Sequence, residues 1–362
     1  MARIADIERL RGVAVAMVLV HHAARFVPGE TARALSAAGW SGVDLFFVIS
    51  GFVVGASLLR SLPEGPTPAV RLRAAGPWLL AFAKRRAWRL WPLAWGTAGL
   101  AWLLAVTLGG EFGTGPQLAR EAVAVVTCTY NFFALDHAGE RLAWYWSLGV
   151  EEQFYAALPL LLLLTRTRRW HLRLAAAGVL LPVLLRPWEV PSAPGAFEAW
   201  RYPPWARADA LFAGVLLAAW QHGRPSTAAP RPGVVGATSW LLATAVFLLP
   251  AAGPFEWALG GGATVLTLLS FLLVALASRN QGDVLPGAAG LLEWFGARSY
   301  ALYLLHPLAL RAVLRLELPA AGTLAAFTAL SVAVAALAHR YVERPLLHRG
   351  APANPLGQAH AA

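Results

Sequence analysis

The sequence predicts an all-α integral membrane protein with about ten transmembrane helices and both termini in the cytoplasm. Three observations carry this. First, 58% of the 362 residues are hydrophobic and only 14% are charged. Mean hydropathy is +0.55, too little polar surface for a soluble domain of this size. Second, apolar runs long enough to cross a bilayer recur along the whole chain. Third, the basic residues behind the net charge of +11 gather at the ends of those runs. Membrane topology puts them there, and that placement argues against a nucleic-acid partner.

The apolar runs fall at 9–27, 42–60, 86–108, 144–165, 171–187, 206–221, 234–251, 258–277, 298–315 and 322–341. The first resembles the core of a signal peptide, but Asp6 and Glu8 before it and His21-His22 beyond it favour a retained helix. A weaker run at 118–136 is interrupted by Thr127, Thr129 and Asn131. Charge decides its status. With Arg3, Arg9 and Arg11 inside, the basic loop 60–86 also lies inside. If 118–136 spanned, Arg166, Arg168, Arg169 and Arg173 would face outward. An interfacial or re-entrant 118–136 returns them, and the later basic loops, to the cytoplasm. Residues 349–362 read as a short, disordered cytoplasmic tail. No internal repeat is evident, which weakens an inverted-repeat transporter. Cys128 is the only cysteine, so no internal disulfide or cysteine-based metal site is expected, and no metal is expected to take part.

Within this frame, residue depth follows from a rise of about 1.5 Å per residue. Arg11 and His22 are eleven residues apart and share a helix face, with His22 about 16 Å deeper and near the midplane. Glu151 lies about 10 Å below the outer surface and His306 about 13 Å above the inner one. Three separate segments therefore bring His22, Glu151 and His306 to a similar depth. Ionisable groups there are functional candidates. His22 beside a carboxylate would serve as a general base with an orienting partner; the competing reading is a histidine bonded to a backbone carbonyl. Ser147, Glu151 and Tyr155 share a face, as do Ser299, Tyr303 and His306. Arg86 and Arg89, also on one face, suit a pyrophosphate or 3′-phosphate, against a purely topological role. Asp44 reads as an acid at a helix start, and Arg207 with Asp209 as a local ion pair.

These stretches in order resemble the acyltransferase-3 family of membrane acyltransferases, the O-antigen and exopolysaccharide O-acetylases. The similarity rests on Arg11 to His22, Gly42 to Phe52, Arg85 to Pro92, Trp146 to Tyr155, Arg207-Asp209, Ser299 to His306 and Glu343-Arg344-Pro345. It covers nearly the whole of 1–348 as one transmembrane domain. The resemblance implies transfer of an acyl group, usually acetyl, from cytoplasmic acyl-CoA to a hydroxyl. The acceptor would be a carbohydrate, a lipid-linked glycan or a small molecule, and the setting a bacterial cytoplasmic membrane. It further implies His22 as base, with Glu151 and His306 beside it. Arg11, Arg86 and Arg89 would hold the CoA. Asp44, Ser147, Tyr155, Arg207, Asp209 and Tyr303 would contact substrate. His21 stands where the family commonly has an aromatic residue, and Glu8 where aspartate is common. An esterase-like C-terminal domain is not expected, so a second transfer step would need another protein. A proton-coupled transporter or flippase using His22, Glu151 and His306 as a relay is the competing function; it leaves Arg86 and Arg89 with only a topological role.

Overall fold

The computed structural model describes residues 4–136, 141–165, 167–190, 196–224, 231–279 and 281–349. Arg3, Arg166 and nearly all of the expected tail lie outside the described residues. The described chain is all helical: α1 Ala5–Ala24, α2 Glu30–Gly39, α3 Gly42–Arg60, α4 Pro68–Ala74, α5 Gly76–Leu108, α6 Gly115–Val126, α7 Tyr130–Asp136, α8 Tyr145–Leu164, α9 Arg168–Leu185, α10 Ala196–Arg201, α11 Pro204–Gln221, α12 Pro232–Leu248, α13 Phe255–Leu259, α14 Gly261–Ala277, α15 Ala289–Ala297, α16 Ser299–Leu314, α17 Ala320–Ala338 and α18 Arg344–Arg349. Each of the ten apolar runs is largely helical, although 258–277 is divided between α13 and α14 at Gly260. Among the described residues, five helical segments are both long and apolar enough to cross a membrane: Glu30–Arg60, Gly76–Leu108, Tyr145–Leu164, Pro232–Ala251 and Ala320–Leu347.

Two departures from the expected bounds have physical causes. Helix α5 begins ten residues before its apolar run and has 33 residues, about 50 Å at 1.5 Å per residue. Hydropathy sees only its membrane part; the backbone bonds continue through Lys84 and Arg85. The run 118–136 is two helices, not one. The chain turns at Cys128, whose φ of 56° is left-handed and ends a helix. A backbone carbonyl freed from its helix needs a partner, and Gln153 of α8 supplies it. Its amide donates to the Cys128 carbonyl at 2.8 Å and to Asn131 Oδ1 at 2.8 Å, and Asn131 donates back at 3.2 Å. Buried Glu121 then ties the following loop, accepting from the Tyr130 hydroxyl at 2.7 Å and from the amides of Arg141 and Leu142 at 3.1 and 2.5 Å. These interactions explain why the segment is a broken pair.

Glycine sets the closest helix crossings. A Cβ on Gly51 of α3 would overlap the carbonyl oxygen of Leu211 in α11, and one on Gly214 would overlap that of Val48. Gly12 and Gly296 make the same reciprocal approach between α1 and α15, against the carbonyls of Leu292 and Glu8. In lipid, such backbone approach is a main source of helix association. Gly51→Leu is expected to destabilise the solubilised protein by about 1–3 kcal/mol, read by thermal unfolding. Gly96→Leu, at a position with open space around it, should melt with the wild type.

Candidate active site

A cavity of about 710 Å³ runs between α1, α3, α5, α8 and α16. Arg86 and Arg89 of α5, Arg11 and Glu8 of α1, and Glu343 and Arg344 line one end. Ser50, Glu151 and Tyr155 lie along it, and Phe46, Ser147 and Tyr303 lie farther along α3, α8 and α16. The apolar wall includes Val43, Ile49, Val53, Val54 and Leu90. Each polar side chain reaches the cavity because its helix turns that face inward. Ser147, Glu151 and Tyr155 are one turn apart on α8, as the spacing predicts.

Arg11 leans toward Glu8 at 3.6 Å. Arg86 lies over the rings of Tyr155 and Phe82, at 4.8 and 5.6 Å. Among the described residues Arg86 and Arg89 have no carboxylate within ion-pair distance, so their guanidinium donors remain available to an anion. Glu151 accepts from Ser50 at 2.6 Å and from Tyr155 at 3.1 Å. A donor on each carboxylate oxygen fixes its geometry.

The two histidines His22 and His306 meet, but outside this cavity. The His22 and His306 rings lie 4.8 Å apart. His306 is fully buried, and its Nδ1 lies 2.9 Å from the Leu302 carbonyl. A carbonyl only accepts, so Nδ1 carries the proton and Nε2 keeps its lone pair. That Nε2 has no hydrogen-bond partner. His21, by contrast, is tied into α2: its Nδ1 donates to the Ser36 carbonyl at 2.6 Å. The neighbouring histidines thus divide, His21 into packing and His22 toward the centre.

Two expectations change. The group that meets His22 is His306, not Glu151, whose hydrogen bonds go to Ser50 and Tyr155. Depth along a helix is set by its rise, whereas the lateral partner is set by how helices cross. Nor do Arg207 and Asp209 pair with each other as a local ion pair. Asp44 and Arg207 form an ion pair between α3 and α11, both side chains 2% exposed. Asp209 pairs with Arg186 at 2.8 and 3.0 Å, and Thr267 donates to it at 3.3 Å. Desolvated carboxylates need such partners. Arg186 went unnoticed in the sequence; its signal was an arginine inside the end of an apolar run. Ser50, within the Gly42 to Phe52 stretch, proves to be a Glu151 partner.

Cys128, the only cysteine, is a free thiol. Burial, with the nearby Glu152 charge, pushes its thiol up to about 11, leaving little thiolate at neutral pH.

The family described as "Acyltransferase domain", acyltransferase-3, matches residues 4–340. The chain belongs to the acyltransferase-3 family. Relatives agree with this at low identity. A "Putative membrane-bound transacylase BcsY" of Komagataeibacter xylinus is 28% identical over 324 residues, 83% of this chain and 71% of the relative. A "Putative O-acetyltransferase" of Staphylococcus aureus strain COL is 24% identical over 328 residues, 84% of this chain and 50% of the relative. The "O-acetyltransferase OatA" of S. aureus strain NCTC 8325 is 30% identical over 169 residues, 43% of this chain and 24% of that protein. This acyltransferase-3 chain therefore spans about half the length of the first of the staphylococcal relatives. No solved structure matches it.

Proposed function

We propose that this acyltransferase-3 protein moves an acyl group, acetyl in the first instance, from cytoplasmic acyl-CoA to a hydroxyl of a carbohydrate, glycolipid or small-molecule acceptor. The observation that carries this reading is the cavity in which Arg86 and Arg89, without ion-pair partners among the described residues, line one end, with the His22–His306 ring contact lying beyond Tyr303. Ten spanning helices and cytoplasmic termini, in a bacterial cytoplasmic membrane, belong to the same proposal. They would put Arg86 and Arg89 on the inner side.

In this reading Arg86 and Arg89, helped by Arg11, hold the CoA phosphates, and the pantetheine arm lies along the apolar wall. His22 removes the acceptor hydroxyl proton as its oxygen attacks the thioester carbonyl. The C–S bond then breaks, the thiolate leaves and is protonated, and an ester and free CoA result. His306 Nε2, held as an acceptor by the Leu302 bond, orients a protonated His22 or shares its proton. Glu151, with Ser50 and Tyr155, shapes the donor path.

The test is acetyl-CoA consumption and direct acetyl-CoA binding by the full chain in membranes, with labelled product traced from a mixed carbohydrate extract. Arg86→Ala and Arg89→Ala should each raise KM for acetyl-CoA about tenfold or more, the loss of roughly 1.5–3 kcal/mol for a charged hydrogen bond. An unchanged KM in both would remove the phosphate role. Neither binding nor consumption by the wild type would move the protein to the transporter reading.

A further inference from the structure

We propose that Tyr303 is the partition between the acyl-donor cavity and the His22–His306 pair, held shut by its hydroxyl and able to swing aside for transfer. The proposal rests on the donor reading of that cavity. Tyr303, Ser147 and Phe46 line the cavity, whereas neither His22 nor His306 does. Tyr303 is therefore a wall between the two: one side faces the cavity, and its ring lies 6.1 Å from that of His306. Phe46 meets the same ring edge-on at 6.3 Å.

The hydroxyl is latched twice. It lies 2.9 Å from the Trp144 carbonyl and 2.6 Å from Ser147 Oγ. The carbonyl only accepts, and Ser147 also reaches it at 3.4 Å, so the two hydroxyls and the carbonyl form one cluster in which either hydroxyl can donate to the other. Both partners sit at the start of α8, so the latch joins α16 to α8 directly above the Glu151 turn.

The same stretch of α16 is built to give. Pro307 lies within the helix and has no N–H. The carbonyl four residues back, that of Tyr303, therefore receives no helix bond from it. Proline is one of the few recognised causes of local bending in a helix. A residue whose ring is latched through its hydroxyl, on a turn whose backbone ladder is interrupted, suits a movable wall. Its closed position also has a chemical purpose. A thioester reached by water before the acceptor arrives is lost: water adds to the carbonyl, the C–S bond breaks, and carboxylate, free thiol and a proton result. Exclusion of water until the acceptor is seated is a known use of such closures.

The experiment measures thiol release from acetyl-CoA by the full-length protein with no acceptor present. Tyr303→Phe keeps the ring against His306 and Phe46 and removes only the latch. Acceptor-free hydrolysis should rise at least about fivefold, the shift expected for one net hydrogen bond, and up to about thirtyfold for two. Ser147→Ala, which removes one of the two bonds, should raise it by less. Placing His22→Ala in the Tyr303→Phe background should abolish the excess, because the water admitted past Tyr303 would be activated by His22 as base. Wild-type hydrolysis rates in both folded single variants would overturn the partition, with Ser147→Ala carrying the test if Tyr303→Phe does not fold. Excess hydrolysis that survives His22→Ala would overturn it too, since the leak would then come from elsewhere. If the wild type neither binds nor turns over acetyl-CoA, the donor reading fails first and the partition with it.

Discussion

His22→Ala is expected to lower acyl transfer by about 10²–10⁴-fold, the usual loss on removing a general base, while the protein stays folded. The adjacent histidine makes this a sharp comparison. His21 donates to Ser36 and holds α1 to α2, so His21→Ala should lower the melting temperature more than it lowers kcat. His22 contacts the ring of His306 and makes no hydrogen bond within the described chain, so its loss should cost activity and little stability. Transfer rates and thermal unfolding of the two variants, measured side by side, check this. Equal losses of activity in both, or normal turnover in His22→Ala, would remove the base assignment.

The largest expected effect on stability lies at the other buried charges. Arg207→Ala leaves Asp44 desolvated and without its cation, which typically costs about 3–5 kcal/mol. Asp44→Ala should cost a similar amount, and the double variant less than the sum of the two, since neither charge is then stranded. Thermal unfolding of the three solubilised variants gives the coupling. Normal melting with a raised acceptor KM would instead return Asp44 and Arg207 to acceptor binding.

Much of the fold was legible because membrane helices write themselves in hydropathy. The 42–60 run coincides with α3, and 144–165 with α8 to within a residue at each end. The interruption at Thr127 to Asn131 marked the break between α6 and α7, although nothing there revealed that Gln153 would satisfy it. For the site, periodicity was a good guide along each helix and a poor one between helices. It put Ser147, Glu151 and Tyr155 on one cavity wall and brought His22 and His306 to one level. It could not tell that Glu151 would turn to Ser50, because that depends on the crossing of α3 and α8. The pairing of Asp209 with Arg186 escaped for the same reason: spacing marked only Arg207, two residues away, and the true partner arrives from another helix.

The glycine crossings bear on where this molecule can move at all. At α3–α11 and α1–α15, carbonyl oxygens seat against Cα atoms from both directions. Two backbones meshed in this way cannot slide a fraction of a turn without collision, so each pair travels as one piece. Helix α16 has no such mesh at Tyr303, and it carries a proline one turn further on. The Tyr303 turn is thereby left outside both meshed pairs, while α1 and α3 are each held in one. A catalyst working inside a fluid bilayer gains from that division: the parts that must hold a geometry are geared together, and the part that must yield is left ungeared.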